Sequence, residues 1–208
     1  MAYPLKDGIS LTPAIAADRA NRRAAAVSTD EVLVGRIAAG DRLAMQVLYA
    51  RHHVRLYRFV LRLVRSEAEA EDLVSDTFLD VWRQAGSFRA QSAASTWLLS
   101  IARFKALSVL RRRPHEELDG VAASAVAAPA DDPEIAIQSK DTGEVLRACV
   151  TTLSREHREV IDLVYYHEKS IDEVAGIVGI PRNTVKTRLF YARRLLSPLL
   201  EVRGIDRG

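Results

Sequence analysis

Apolar residues recur along most of this chain at intervals of three and four, the period of helices that bury one face. Val32, Leu33 and Ile37 open the first run, with Ser28 and Glu31 at capping-box spacing before it and Gly40 closing it. Asp41 is placed to cap a second run, whose buried side carries Leu48, Leu56, Phe59, Val60, Leu63 and Val64. Ser66 and Glu69 form another capping box, followed by a stripe of Leu73, Val74, Thr77, Phe78, Val81 and Trp82. A polar loop from Gly86 to Ser95 precedes a helix predicted from Thr96 to Arg113, which Pro114 stops. Period-two alternation, the mark of a strand, is scarce, so the expected fold is all-α.

Beyond Pro114 the pattern lapses. Ala, Pro and Asp dominate residues 115–141, where Glu116, Glu117, Asp119, Asp131, Asp132, Glu134 and Asp141 face a single Lys140. Such a stretch buries little and is expected to stay extended. Helical periodicity resumes at Thr142 and runs to about Val202. The reading is two small helical domains joined by a flexible acidic linker: a leader 1–27, a domain 28–113, the linker 114–141 and a second domain 142–202. There is no internal repeat.

The second domain contains Ser170-Ile-Asp-Glu-Val-Ala-Gly-Ile-Val-Gly179, then Ile180-Pro-Arg-Asn-Thr-Val-Lys-Thr-Arg-Leu189. Ser170 and Glu173 are a capping box, Val174, Ala175 and Val178 give a short helix its apolar face, and Ala175 allows a close helix crossing. Gly179 suits the left-handed residue of a tight turn, and Pro181 stands where a new helix begins. Val185 and Leu189 then bury one side of that helix, leaving Arg182, Lys186, Thr187 and Arg188 outside. This is a helix-turn-helix whose second helix suits DNA. From Arg182 to Arg194 there are five basic residues and no acidic one. Solvated faces usually mix signs, so this bias points to phosphate.

A second one-signed segment, Arg103 to Arg113, carries Arg103, Lys105, Arg111, Arg112 and Arg113 without a carboxylate. The loop Phe88-Arg-Ala-Gln-Ser-Ala-Ala-Ser95 stands just before it. Phosphate contacts beside a shaped or aromatic pocket suit an unstacked single strand. Trp97 is the candidate stacking ring, although its spacing with Leu98 and Ile101 favours a core role. Glu71, Asp72, Asp76 and Asp80 lie opposite the apolar stripe of their helix. They form either a solvated face or a docking surface for a protein.

The chain has 208 residues, 48% hydrophobic and 27% charged, which suits one large or two small globular domains. Lys plus Arg is 30 against Asp plus Glu 27, a formal charge of +3. That excess is too small to coat DNA by bulk charge; the basicity is concentrated instead. No run approaches the roughly 18 apolar residues of a membrane helix, and the Ala-rich leader lacks the apolar stretch of a signal peptide. A cytoplasmic protein is expected. The lone Cys149 shares an apolar stripe with Val145, Leu146, Val150 and Leu153 and reads as a buried structural thiol. His52, His53, His115, His157 and His167 do not cluster with carboxylates at ligand spacing, and there is no nucleophile motif or phosphate-binding Gly loop. No metal, no cofactor and no catalysis are expected.

Taken together, these segments resemble the extracytoplasmic-function group of bacterial sigma factors, over roughly residues 30–113 and 142–200. Glu69-Ala-Glu-Asp-Leu-Val-Ser-Asp-Thr-Phe78 is similar to the family's helix that grips the beta-prime clamp helices of RNA polymerase. The resemblance implies core-polymerase contacts at Glu71, Asp72, Ser75, Asp76 and Asp80. Ser87-Phe-Arg89 and Thr96-Trp-Leu-Leu-Ser-Ile-Ala-Arg103 are similar to the segment that melts the minus-ten element. It implies DNA contacts at Phe88, Arg89, Ser95, Trp97, Ser100, Arg103, Phe104, Lys105 and Arg111, with a flipped base held by the 88–95 loop. Thr184-Val-Lys-Thr-Arg-Leu189 is similar to the helix that reads the minus-thirty-five element. It implies contacts at Arg182, Asn183, Thr184, Lys186, Thr187, Arg188, Phe190 and Tyr191. The implied partners are core RNA polymerase, through its beta-prime clamp helices and beta flap, promoter DNA and an anti-sigma factor, with no membrane. The linker's acidity fits a segment that threads the polymerase's nucleic-acid channel.

Several residues depart from the family pattern. Ser100 and Phe104 stand where many members have Arg and Asn, and Tyr191 where a basic residue is common. The 88–95 loop also lacks the usual Gly and acidic residue, so neither promoter sequence nor flipped base carries over. Two rival readings are a stand-alone helix-turn-helix regulator and a sigma mimic that binds an anti-sigma factor. The first leaves domain 28–113 without a task and lacks a dimer seam. The second gives no reason for two one-signed basic helices.

Overall fold

The computed structural model describes residues 28–112 and 149–201. The leader 1–27, the linker 114–141, and residues 113, 142–148 and 202 of the two expected domains lie outside the described residues. Among the described residues there is no strand.

The first block contains α1 (Asp30–Ala38), α2 (Arg42–Val64), α3 (Glu67–Gln84) and α4 (Ala94–Arg112). A 3₁₀ turn, Ala85–Ser87, extends α3. Asp41 caps α2: its Oδ1 accepts from Leu43 N at 2.9 Å and Ala44 N at 3.1 Å, while Arg36 donates to Oδ2 from Nη2 and Nε at 2.7 and 2.9 Å. Ser66 caps α3, its Oγ accepting from Glu69 N. Between them Arg65 takes the left-handed conformation, φ 58°, that turns the chain.

Capping at α1 and α4 differs from the sequence expectation. Thr29, not Ser28, caps α1, accepting from Val32 N at 3.4 Å. Glu31 is used elsewhere: its Oε1 accepts from Ala94 N at 3.0 Å. Helix α4 therefore starts two residues earlier than predicted, because a carboxylate from α1 satisfies an N–H that no local side chain serves. That bond is the largest cause holding the Glu31 carboxyl below its usual range.

Leu33, Val34 and Ile37 of α1 meet Leu48, Leu56, Phe59 and Val60 of α2, Leu73, Val74, Phe78 and Val81 of α3, and Leu98, Leu99 and Ala102 of α4 in one buried core. Each fully buried Leu or Phe contributes about 1.5–3 kcal/mol. Thr77 joins them because its hydroxyl donates to Leu73 O at 2.7 Å, leaving nothing unsatisfied. Trp82 does not join them fully and is 38% exposed. At about 100° per residue each i+4 step overshoots a turn by about 40°, so the predicted stripe has rotated outward by its last member.

The second block contains helical residues 149–151, α5 (Arg155–Ile161), a π-helical turn (Asp162–Tyr166), α6 (Ile171–Val178) and α7 (Arg182–Glu201). Cys149 is buried with Leu153, Val160, Leu163, Val174, Ile177, Val178, Val185, Leu189, Ala192 and Leu196. The Ser170–Glu173 capping box is complete, and Gly179 ends α6 at φ 72°. Pro181 lies one residue before α7 rather than inside it; its carbonyl accepts from Thr184 N and Val185 N.

The two blocks are not merely tethered. Helix α6 packs on α4, and the buried residues of both blocks form one continuous cluster. Gly179→Ala tests the turn between α6 and α7. A Cβ there meets nothing within 4 Å, so the penalty is backbone strain alone. Urea unfolding is expected to show a loss of about 1–2 kcal/mol, and Gly179→Asn a smaller one.

Candidate nucleic-acid and polymerase interfaces

Helix α7 turns Val185, Leu189, Ala192 and Leu196 to the core. At helical spacing the opposite side carries Asn183, Thr187 and Phe190, with Lys186 and Tyr191 on its flanks. All five are exposed; Thr184 and Arg188 are half-buried. The Thr187 hydroxyl donates to Asn183 O at 3.0 Å, and the Phe190 and Tyr191 rings meet edge to face at 5.5 Å. Arg182 pairs with Asp172 at 3.2 Å, both well exposed, so a phosphate could displace that carboxylate at little cost. Six of the eight predicted residues are thus exposed on α7, with Lys186 and Arg182 as their cations and Phe190 and Tyr191 as their rings, while Thr184 and Arg188 are partly covered.

Helix α4 and its preceding loop are more occupied than the sequence suggests. Trp97 is half-buried with its ring centroid 5.0 Å from that of Phe88, so the two candidate aromatics pack on each other. Arg89 is exposed beside Ala90, which has φ 51°. Phe104, 68% exposed, is the freest ring on α4. The Ser100 hydroxyl turns back to Thr96 O at 2.9 Å, and Arg111 donates to Ser108 Oγ at 3.1 Å. Lys105 is engaged with Asp80 at 2.7 Å, which joins a predicted DNA contact to a predicted polymerase contact. On α3, Glu71, Asp72, Ser75 and Asp76 are exposed, whereas Asp80 is half-buried by this pair. The expectation that all the carboxylates face outward therefore fails at Asp80, because α4 brings a cation within reach.

Periodicity gave no sign of the seam between the blocks. Arg103, a predicted DNA contact, donates from Nε and Nη2 to the two carboxylate oxygens of Glu159 at 2.6 and 3.2 Å. The Glu159 side chain is only 5% exposed. Glu173 Oε1 accepts from Thr96 Oγ1 at 2.5 Å, and Lys169 Nζ reaches Ser95 Oγ at 2.5 Å and Glu173 Oε1 at 3.4 Å. From α2, Arg62 pairs with Asp162 and lies 4.2 Å above the Tyr166 ring, while Arg58 donates to the Tyr166 hydroxyl at 2.7 Å. Phe59 meets the edge of His167 at 5.4 Å. The residues involved are 56 to 108 positions apart in sequence, beyond the reach of any local pattern.

His167, with Thr96 and Glu159, is one of the buried polar residues of this seam. Its Nε2 has no hydrogen-bond partner among the described residues and lies 3.7 Å from Asp162 Oδ2. Burial first, then the positive charges of Arg62, Arg55 and Lys169, push its pKa down from 6.5 to about 3.

The description Sigma-70 region 2 matches residues 48–115, and Sigma-70 region 4 matches 143–196. The ECF RNA polymerase sigma-E factor of Escherichia coli is 30% identical over 178 residues, 81% of this chain and 93% of that protein. The ECF RNA polymerase sigma factor SigL of Mycobacterium tuberculosis is 32% identical over 171 residues, covering 82% and 96%. Among solved structures, the sigma factor RpoE of Bartonella quintana, in complex with the anti-sigma factor NepR, superposes with TM-score 0.60 at 30% identity. That match covers 76% of this chain and 96% of the other. CnrH in complex with the cytosolic domain of CnrY shares the fold, with TM-score 0.61 at 24% identity. The chain belongs to the extracytoplasmic-function sigma factors, which direct RNA polymerase to promoters and start transcription there. No helix among the described residues is long and apolar enough to cross a membrane.

The sign of the His167 effect is testable. Its depressed value means the folded chain holds it neutral while the unfolded chain protonates it near pH 6.5, so stability is full above that pH and falls below it. Between about pH 6.5 and 5, before most carboxylates titrate, unfolding free energy is expected to fall with a slope approaching about 1.4 kcal/mol per pH unit. His167→Gln should flatten that slope in pH-dependent urea titrations.

Proposed function

We propose that residues 142–202 place α7 in the major groove of the minus-thirty-five element, and that residues 28–113 hold the separated non-template strand of the minus-ten element. The observation that carries this reading is the exposed face of α7. Asn183, Lys186, Thr187 and Phe190 point away from a buried aliphatic stripe, on a helix started by a left-handed glycine turn. Lys186, Thr187 and Arg188 are the base-edge and phosphate candidates, each good base contact discriminating by about 1–3 kcal/mol. Phe190 suits a thymine methyl or sugar edge. On the first block, Arg89, Arg111 and, once released, Arg103 and Lys105 hold the strand backbone, and the exposed Phe104 ring offers a stacking face. The Phe88–Trp97 pair walls the pocket where a base is extruded, an event that costs a few kcal/mol and must be offset there.

The exposed carboxylates Glu71, Asp72 and Asp76 suit the beta-prime clamp helices, and the second block suits the beta flap. The chain itself supplies no catalysis. It acts in the cytoplasm, where polymerase works, and an anti-sigma factor holds it inactive, as NepR is bound to the Bartonella quintana relative.

Run-off transcription with purified core enzyme on genomic fragments tests the reading: new start sites are expected only when the chain is added. Lys186→Ala and Arg188→Ala are expected to cut promoter use about tenfold each while core binding by pull-down is kept. Asp76→Lys should do the reverse, weakening core binding and leaving DNA affinity unchanged. Tight specific binding of promoter duplex by the chain alone would support the stand-alone regulator instead.

A further inference from the structure

We infer that a cavity between α2, the start of α4 and the 167–169 turn binds a small tetrahedral oxyanion. Arg55 and Lys169 are its cations, and Ser95 and His167 its neutral donors. The occupant is inorganic phosphate or the terminal phosphate of a phosphate ester. The promoter reading above assigns no role to Arg55, His167 or Lys169, so the site stands or falls apart from it.

Three observations carry it. First, the cavity has the charge an anion needs. It measures about 40 Å³ and is lined by His52, Arg55, Ser95, His167 and Lys169 with three leucines. That is room for about three waters or one compact ion. No carboxylate is among the lining residues. The acids nearby are engaged: Asp30 holds Arg51 and His52, and Asp162 holds Arg62. Glu173 reaches Lys169 at 3.4 Å, but its shorter bonds go to Thr96 and Ser170.

Second, its donors have bonds to spare. Arg55 is exposed and makes no hydrogen bond or ion pair among the described residues, so its guanidinium can offer an oxyanion two parallel N–H groups. Ser95 Oγ accepts from Lys169 Nζ at 2.5 Å, which leaves the hydroxyl proton to donate. The His167 side chain is only 3% exposed, and its Nε2 has no partner among the described residues. Asp162 Oδ2, at 3.7 Å, is beyond hydrogen-bond reach. Burial and then the charges of Arg62, Arg55 and Lys169 keep the ring neutral, and a neutral ring can donate from Nε2. A buried polar atom left so is costly unless something arrives to satisfy it.

Third, the backbone that brings His167 and Lys169 to the cavity holds two uncommon conformations. Asp162–Tyr166 is a π-helical turn, and Glu168 takes φ 53°. Single π turns gather at functional sites, and a left-handed residue other than glycine persists only where its surroundings over-determine it. In a regular helix, residues 167 and 169 would point about 200° apart. The two departures together set both side chains on one cavity.

The probes are inorganic phosphate and adenosine diphosphate, each titrated calorimetrically into the full chain in chloride buffer at constant ionic strength. Phosphate is expected to bind with a dissociation constant below about 1 mM. At ten times that constant it should raise the melting temperature by about 3–6 °C. The Nε2 resonance of His167 should move as the site fills. Arg55→Ala, at an exposed position, should weaken binding about tenfold or more. Arg42→Ala, about 20 Å away at the other end of α2, controls for bulk charge and should change binding by less than about twofold. Lys169→Gln carries the same expectation as Arg55→Ala and replaces it if that variant does not fold. Tighter binding of the diphosphate, with the same dependence on Arg55, supports the site and makes its occupant a phosphate ester. Phosphate held no more tightly than chloride, equal losses in the two arginine variants, or an unmoved His167 resonance would overturn the inference. Each of these outcomes leaves promoter use by the chain to its own test.

Discussion

One carboxylate, that of Glu173, ties the local fold to the arrangement of the whole chain. Its Oε2 accepts from Ser170 N and Oγ, both at 2.9 Å, starting the first helix of the helix-turn-helix. Its Oε1 accepts from Thr96 across the seam, with Lys169 alongside. Burial alone would raise its pKa; the bonds from Thr96 and Ser170 and the Lys169 charge outweigh it and bring the group to about 2. It therefore stays ionised at any physiological pH, and what it holds is lost only as pH falls below the ordinary carboxylate range towards that value. Ser170, Glu173 and Gly179 fix where α6 begins and ends, and so where α7 points.

From that fixed start, α7 divides its labour by face. The aliphatic stripe of Val185, Leu189, Ala192 and Leu196 anchors it, and the polar side remains open. In the proposed DNA complex, cations such as Lys186 set register on a backbone without reading sequence, whereas Asn183, Thr187 and Phe190 meet base edges or methyl groups. Helix α4 shows the opposite economy. Two of its cations are already engaged, Lys105 by Asp80 within the block and Arg103 by Glu159 across the seam, while Arg111 and Arg112 are exposed. The two one-signed segments of the sequence therefore differ in how firmly their cations are held, α7 pairing Arg182 with an exposed Asp172 and α4 pairing Arg103 with a buried Glu159.

The helices were legible because each is written locally. Asp41, Ser66 and the Ser170–Glu173 box sit within four residues of the N–H groups they satisfy, and Gly179 needs only its own φ. The start of α4 was misjudged because Glu31, which caps it, lies 63 residues away. Glu31 was assigned instead to α1, where the spacing was right and the partner wrong. The seam was illegible for the same reason. His167 was set aside for want of a local partner, yet the π-helical turn carries it onto Phe59, with Asp162 and Tyr166 directed at Arg62. Candidate DNA and polymerase residues could be named from charge bias and family pattern. Which of them are free could not, since that depends on contacts such as Arg103–Glu159.

The chemistry of that pair suits the strand contact proposed for Arg103. An arginine proposed to meet phosphate cannot rest in an apolar pocket without a large desolvation penalty, and left open it would attract any polyanion. A carboxylate placed on two of its nitrogens solves both problems, because it reproduces the geometry that phosphate will adopt. Exchanging Glu159 for a phosphate would trade one charge-assisted pair for another, at a small net free energy. Paired ions suit such a seam better than leucines would: an apolar interface would hold the blocks together as firmly, but would offer DNA nothing to replace it with.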